Sequence, residues 1–223
     1  MIDKRVASLE AALEGIEDGA TVLVGGFGEA GAPNHLVYAL IDQGARELTI
    51  VNNNAGVGRE GLAALLDAGR VRKVICSFPR SRGSVVFEEL HQAGRLELEV
   101  VPQGTLSERL RAGGAGIAGF YTPTAVGTRL AEGKEVRRFN GREHLLELPI
   151  HGELALIRAD RADRWGNLTY AKAARNFGPT MATAADLTVV EVREFVALGA
   201  LDPEHVVTPG IFVDRVVEVG APK

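Results

Sequence analysis

Apolar positions along the chain fall into two spacings, short continuous runs and three-and-four steps, and the two alternate. Ala20-Thr-Val-Leu-Val24 has four apolar and three β-branched residues among five, which predicts a buried strand. It runs straight into Gly25, Gly26, Gly28 and Gly31, and Pro33 follows where a helix can start. From Asn34 to Gln43, Val37, Leu40 and Ile41 keep helical spacing. The same order then recurs. Glu47 to Val51 predicts a strand, Glu60 to Ala68 a helix, Val71 to Ser77 a strand and Ser84 to Ala93 a helix. Leu96 to Val101 predicts a further strand, and Leu106 to Arg111 a short helix. Ahead of all this, Met1 to Gly19 sets Val6, Leu9, Leu13 and Ile16 on one face of an amphipathic helix.

Beyond Phe120 the pattern changes. Phe120 to Gly127 reads as a loop, and Val136 to Phe139 and His144 to Leu148 as strands about an Asn140-Gly141 turn, a hairpin signal. Glu153 to Ala159 and Leu187 to Val192 predict strands, as does the extended segment from Val206 to Val213, with a helix or loop around Pro179 to Ala185. Alternating strands and helices mean parallel strands joined by crossovers. The expected fold is therefore α/β, an open and mainly parallel sheet flanked by helices, with a more antiparallel second half. No linker, internal repeat or low-complexity tract divides residues 1–223, so a single domain is expected.

Composition narrows the function classes. With 46% hydrophobic and 24% charged residues the chain supports a full core. A net charge of −4 and the absence of basic clusters with interleaved aromatics argue against nucleic acid as a partner. The one cysteine, Cys76, allows no intramolecular disulfide and no multi-cysteine zinc site. The first residues lack the pattern of a signal peptide, and no apolar run is long enough to span a bilayer, so a cytoplasmic protein without membrane contact is expected.

In an open parallel sheet, ligands are expected at the carboxyl ends of the strands. Here those ends carry Gly25-Gly-Phe-Gly28, Asn52-Asn-Asn-Ala-Gly56, Ser77-Phe-Pro79 and Pro102-Gln-Gly104. Uncharged donors converging on one edge suit the stabilisation of a developing oxyanion, although Asn and Gly are also common turn residues. Gly26-x-Gly28-x-x-Gly31 matches the dinucleotide fingerprint in spacing. That fingerprint needs an acid about 20 residues on, and the corresponding strand end holds Asn52, Asn53 and Asn54. The five histidines, His35, His91, His144, His151 and His205, form no i, i+4 pair, so no metal site is expected. Cys76 reads as a buried small hydrophobe, and Arg80 and Arg82 as either a carboxylate clamp or solvated loop residues. An anion-stabilising rim is present without an evident nucleophile.

Asp18 to Pro33 resembles the first-subunit signature of the family I CoA transferases. The resemblance extends, in the family's order, through Asn53-Asn-Ala-Gly56, Pro102-Gln-Gly-Thr-Leu106, Arg111 to Gly116, Phe120-Tyr-Thr-Pro123, Glu132-Gly-Lys-Glu135, Asp163 to Tyr170 and Lys172 to Phe177. Within the family, Cys76 to Arg80, Asp163 to Tyr170, Leu201 to His205 and Thr208 to Phe212 are most similar to members acting on 3-oxoadipate. The resemblance implies the CoA-transferase fold and transfer of CoA from succinyl-CoA to a 3-oxoacid, with CoA thioesters as substrates and no permanently bound cofactor. It also implies a glutamyl-CoA thioester on a different polypeptide, the B subunit, in a heterotetramer of two A and two B chains. On this reading Asn53, Asn54 and Gln103 serve the chemistry. Gly25, Gly26, Phe27, Gly28, Glu29, Ala30 and Gly31 form the loop that receives the thioester. Three Glu-x-Gly triplets occur in this chain, at Glu17, Glu29 and Glu218, and Glu29 is the one that could rival the partner's glutamate. The chain departs from the family pattern at Ala125, Val126 and Ala171, which bears on whether the acceptor is 3-oxoadipate or a shorter 3-oxoacid such as acetoacetate. A CoA- or sugar-phosphate-binding module without transferase activity is the alternative from another class.

Overall fold

The computed structural model describes residues 2–81 and 83–220. Arg82, half of the arginine pair considered above, lies outside the described residues.

Strand β1 (Thr21–Val24) is the spine of the sheet because both of its faces are covered: Val22 and Val24 point into one apolar layer and Leu23 into the other. From it the chain steps outward through α2 (Asn34–Gln43), β2 (Leu48–Val51), α3 (Leu62–Asp67), β3 (Val71–Cys76), α4 (Val85–Gln92) and β4 (Glu97–Val100). These strands pair in parallel in the order β1, β2, β3, β4. Leu36, Val37, Leu40, Leu65, Leu66 and Phe87 put the three helices on one face. Helix α5 (Gln103–Gly114) then packs Leu106 and Leu110 on the opposite face and carries the chain back.

The second half adds both kinds of pairing. Strands β5 (Phe120–Thr122), β6 (Val136–Phe139) and β7 (Arg142–Glu147) form a separate antiparallel sheet ordered β5, β7, β6. Its hairpin turns at Asn140 and Gly141, whose φ values of 49° and 78° suit the tight turn expected of that pair. The long strands β8 (Gly152–Ala162) and β10 (Ala185–Phe195), with β11 (Arg215–Glu218), extend the parallel sheet on the other side of β1. Short β9 (Leu168–Thr169) pairs antiparallel with β8, and α6 (Gly178–Thr183) joins the α5 face. Strand order therefore reverses between β1 and β8, the position at which open α/β sheets form a ligand crevice.

Four expectations are corrected. The amphipathic N-terminal helix is reduced to α1 (Leu9–Ala12), capped by the Ser8 hydroxyl and followed by Gly15 at φ 87°. Residues 4–6 instead run extended along β11, with the Val6 amide donating to the Val216 carbonyl at 2.9 Å. Val6, Leu9, Leu13 and Ile16 still reach the core, so the apolar spacing reported burial without a continuous helix. The segment from Phe120 begins as β5 and not as a loop, because Phe120 to Thr122 find partners on β7. Helix α5 starts at Gln103 directly after Pro102 and is longer than the apolar pattern alone suggested. The last extended stretch is β11, whereas Gly210–Phe212 is a 3₁₀ turn.

Candidate active site

Because β1 to β4 are adjacent and parallel, their carboxyl ends form one rim. At its centre, Asn52 donates from Nδ2 to the Val24 carbonyl at 2.6 Å and accepts the Asn54 amide at 2.8 Å. It thereby locks the end of β1 to the end of β2 and is spent on structure. Asn54 Oδ1 accepts the Gly56 amide at 2.8 Å, which shapes the turn after β2. Asn53 is nearly buried, and its Oδ1 accepts from Gln103 Nε2 at 2.8 Å, so the ends of β2 and β4 meet through a carboxamide pair. The Asn53 carbonyl in turn accepts the Ser77 and Phe78 amides, at 3.2 and 3.0 Å, bringing in the end of β3.

The glycine loop closes over the same edge. Gly25 and Gly26 are buried, and residues 27–30 are exposed in a tight turn whose Phe27 and Ala30 amides donate to each other's carbonyls. The Gly25 amide donates to Leu156, and the Gly26 amide to Asn176 Oδ1 at 3.0 Å. Four of the loop's seven amides, those of Gly25, Gly26, Phe27 and Ala30, are therefore engaged within the chain. The amides of Gly28, Glu29 and Gly31 make no hydrogen bond among the described residues, which leaves three donors of the loop unspent. Gly25, Gly28, Glu29, Asn52 and Asn54 together line a slot of about 20 Å³, the room of one water molecule. An acyl group cannot enter a slot of this size.

Asn176 is a site residue that the pattern of apolar positions could not reveal. Its Oδ1 serves both the Gly26 and Phe177 amides, and its Nδ2 donates to the Ala30 carbonyl at 2.9 Å. Lys172 to Phe177 was visible as a motif, but its placement on the loop depends on an encounter 150 residues apart in sequence. Gly31 makes the contact possible: a Cβ there would lie 2.3 Å from the Ala174 carbonyl.

Beside the loop, Glu191 on β10 is fully buried and accepts the Leu36 amide at the start of α2 at 3.1 Å. His35 lies 3.4 Å from its other oxygen. Burial pushes the Glu191 carboxyl above its ordinary range, against the opposing pull of the Leu36 amide, His35 and Arg158. Cys76 is buried at the end of β3, and burial raises its thiol to about 12, which leaves it inert as a nucleophile. Arg80 is an exposed loop residue paired with Glu88 at 3.1 Å.

A family model described as Coenzyme A transferase matches residues 6–219. The chain is 61% identical over 219 residues to the A subunit of 3-oxoadipate CoA-transferase from Pseudomonas putida, covering 98% of this chain and 95% of that one. It is 48% identical over 214 residues to the A subunit of a probable succinyl-CoA:3-ketoacid coenzyme A transferase from Bacillus subtilis, covering 96% and 89%. Among solved structures, the fold is that of glutaconate coenzyme A-transferase from Acidaminococcus fermentans. The TM-score is 0.86 at 20% identity, over 97% of this chain and 76% of that one.

Proposed function

Since the chain belongs to the coenzyme A transferase family, we propose that it is the single-domain A subunit of a 3-oxoadipate CoA-transferase. It works with a second polypeptide that supplies the nucleophilic glutamate, in an assembly of two A and two B chains. CoA passes from succinyl-CoA to the 3-oxoacid through a thioester on that glutamate. Each exchange is an addition followed by an elimination, and each addition places a negative charge on a carbonyl oxygen. Donors fixed in advance at that oxygen lower the barrier because they need no reorganisation as the charge develops. The role of this chain is to hold those donors: the outer amides of Gly28, Glu29 and Gly31, with Asn53, Asn54 and Gln103 behind them.

The observation that carries the reading is the Asn53–Gln103 carboxamide pair set on the same edge as the glycine loop. Neither residue is charged, so neither would pair permanently with the partner's carboxylate. The preference for 3-oxoadipate over acetoacetate rests on the higher identity to the Pseudomonas putida protein.

Co-expression with a partner carrying a Glu-x-Gly motif tests it. The expected product is an active heteromer that forms a thioester on the partner and prefers 3-oxoadipate in a panel of 3-oxoacids. Equal rates on acetoacetate and 3-oxoadipate would remove the narrower assignment, and a stable monomer that binds CoA alone would favour the binding module. Glu29→Ala in the assembled enzyme is expected to retain the thioester intermediate. Its loss would move the nucleophile into this chain.

A further inference from the structure

Strands β8 and β10 continue past the end of β1. Val24 pairs with Leu156, whereas β8 and β10 stay paired as far as Ala162 and Phe195. The crevice left where the glycine loop departs has a volume of about 300 Å³. Gly31, Ala171 and Ala174 form one wall, and Arg158, Asp160 and Arg193 rise from the overhanging strands. Two of these charges are satisfied by each other: Arg193 Nε donates to Asp160 Oδ1 at 2.9 Å, and its Nη2 lies 3.0 Å from Glu194. Arg158 differs. Its side chain is only 20% exposed and makes no hydrogen bond among the described residues, and its nearest carboxylate oxygen, on Glu191, is 3.8 Å away. Glu191 directs its oxygens to the Leu36 amide and His35. A guanidinium has five donors in a fixed fork, and removing it from water without hydrogen bonds is costly. Its planar fork matches a carboxylate in two parallel bonds.

We propose that Arg158 receives the distal carboxylate of a dicarboxylic acyl group, and that this crevice is the subsite that selects diacids over monoacids. The inference rests on the transferase reading above. Succinate and 3-oxoadipate each keep one free carboxylate when the other carboxyl is a thioester, and acetoacetate keeps none. The reacting carbonyl lies at the glycine loop, whose Gly25 is bonded to Leu156. Arg158 stands two residues farther along β8, ~7 Å at the rise of a strand, and lines one crevice with Gly31, whose amide is unbonded among the described residues. Ala171 and Ala174 put only methyl groups on the facing wall, which leaves that span open.

The test uses the assembled enzyme and two thioesters, succinyl-CoA and acetoacetyl-CoA, with kcat/KM measured for each. In Arg158→Gln the ratio of succinyl-CoA to acetoacetyl-CoA is expected to fall about 30-fold or more, as for a truncated charge pair, and Arg158→Lys is expected to restore part of it. Ala171→Glu, at an exposed position, places a competing carboxylate in the crevice and is expected to move the ratio the same way. It keeps the test open should Arg158→Gln fail to assemble. An unchanged ratio, or an equal loss for both thioesters as expected if Arg158 held a CoA phosphate or only the fold, overturns the inference. A wild-type assembly that transfers no CoA between succinate and any 3-oxoacid overturns the transferase reading as well, so the two failures are distinguishable.

Discussion

Cys76 and Glu191 show how burial sets the chemistry of single residues in this chain. The Cys76 thiol, raised from 9.0 to about 12, keeps its proton in the folded state over an interval in which the unfolded chain releases it. The associated stability is therefore complete below pH 9 and is lost as pH rises toward 12. Disulfide-exchange reagents at pH 8 are expected to leave Cys76 untouched until denaturant is added. Cys76→Ala should lessen the fall in urea midpoint between pH 8 and 10. Glu191 has the same sign at lower pH. Its carboxyl is raised by burial, so its contribution is present below the ordinary glutamate range and declines as pH rises through the folded value. The stability of the wild type minus that of Glu191→Gln should accordingly decrease from pH 4 to pH 7, and a constant difference would contradict this assignment. Glu191→Leu leaves the Leu36 amide without its acceptor, at a cost of ~1–3 kcal/mol readable from denaturant melts.

Among the elements, the glycine loop depends on the 172–176 turn as well as on its own glycines. Asn176→Ala removes acceptors for the Gly26 and Phe177 amides and a donor to Ala30. A loss of ~1–3 kcal/mol is expected, together with reduced turnover in the assembled enzyme. Asn176→Asp, which keeps Oδ1, should retain more of both. Gly31→Ala should be the more damaging change, since the added carbon meets the Ala174 carbonyl and the backbone sits at φ 71°. This dependence also marks what could be read in advance. The alternation was legible from β1 and β2 because those strands are buried on both faces, and the meeting of Asn53 with Gln103 followed from both standing at strand ends. Which loop amides stay unbonded was not legible, because Asn176 takes the Gly26 amide and the Ala30 carbonyl from far along the chain. The N-terminal segment misled for a related reason. Apolar spacing reports which residues are buried, and Gly15 and the edge of β11 limit the helix there to Leu9–Ala12.

At the scale of the whole molecule, the rim is where the chain is least finished. Its slot has room for no more than one water, while Phe27 and Phe78 stand 51% and 52% exposed on the loops after β1 and β3. Aromatic rings beside a polar rim are costly to leave in water and are typical anchors of a contact between polypeptides. The proposed chemistry asks for the same thing, because a glutamyl thioester survives only where water is kept out. A partner chain laid over the outer side of the glycine loop would bury both rings and bring its carboxylate to the amides of Gly28, Glu29 and Gly31. Phe78→Asp tests this without touching the donors. The side chain is half exposed and outside both apolar layers, so the variant alone should melt within a few degrees of the wild type. Its association with the partner should weaken at least about tenfold, as for loss of an interface anchor, seen as separation of the two chains on size exclusion at micromolar concentration. Turnover should recover as partner is added in excess. Unchanged association would mean that the partner covers another face, and the approach to the glycine loop from outside would then need a different source of protection from water.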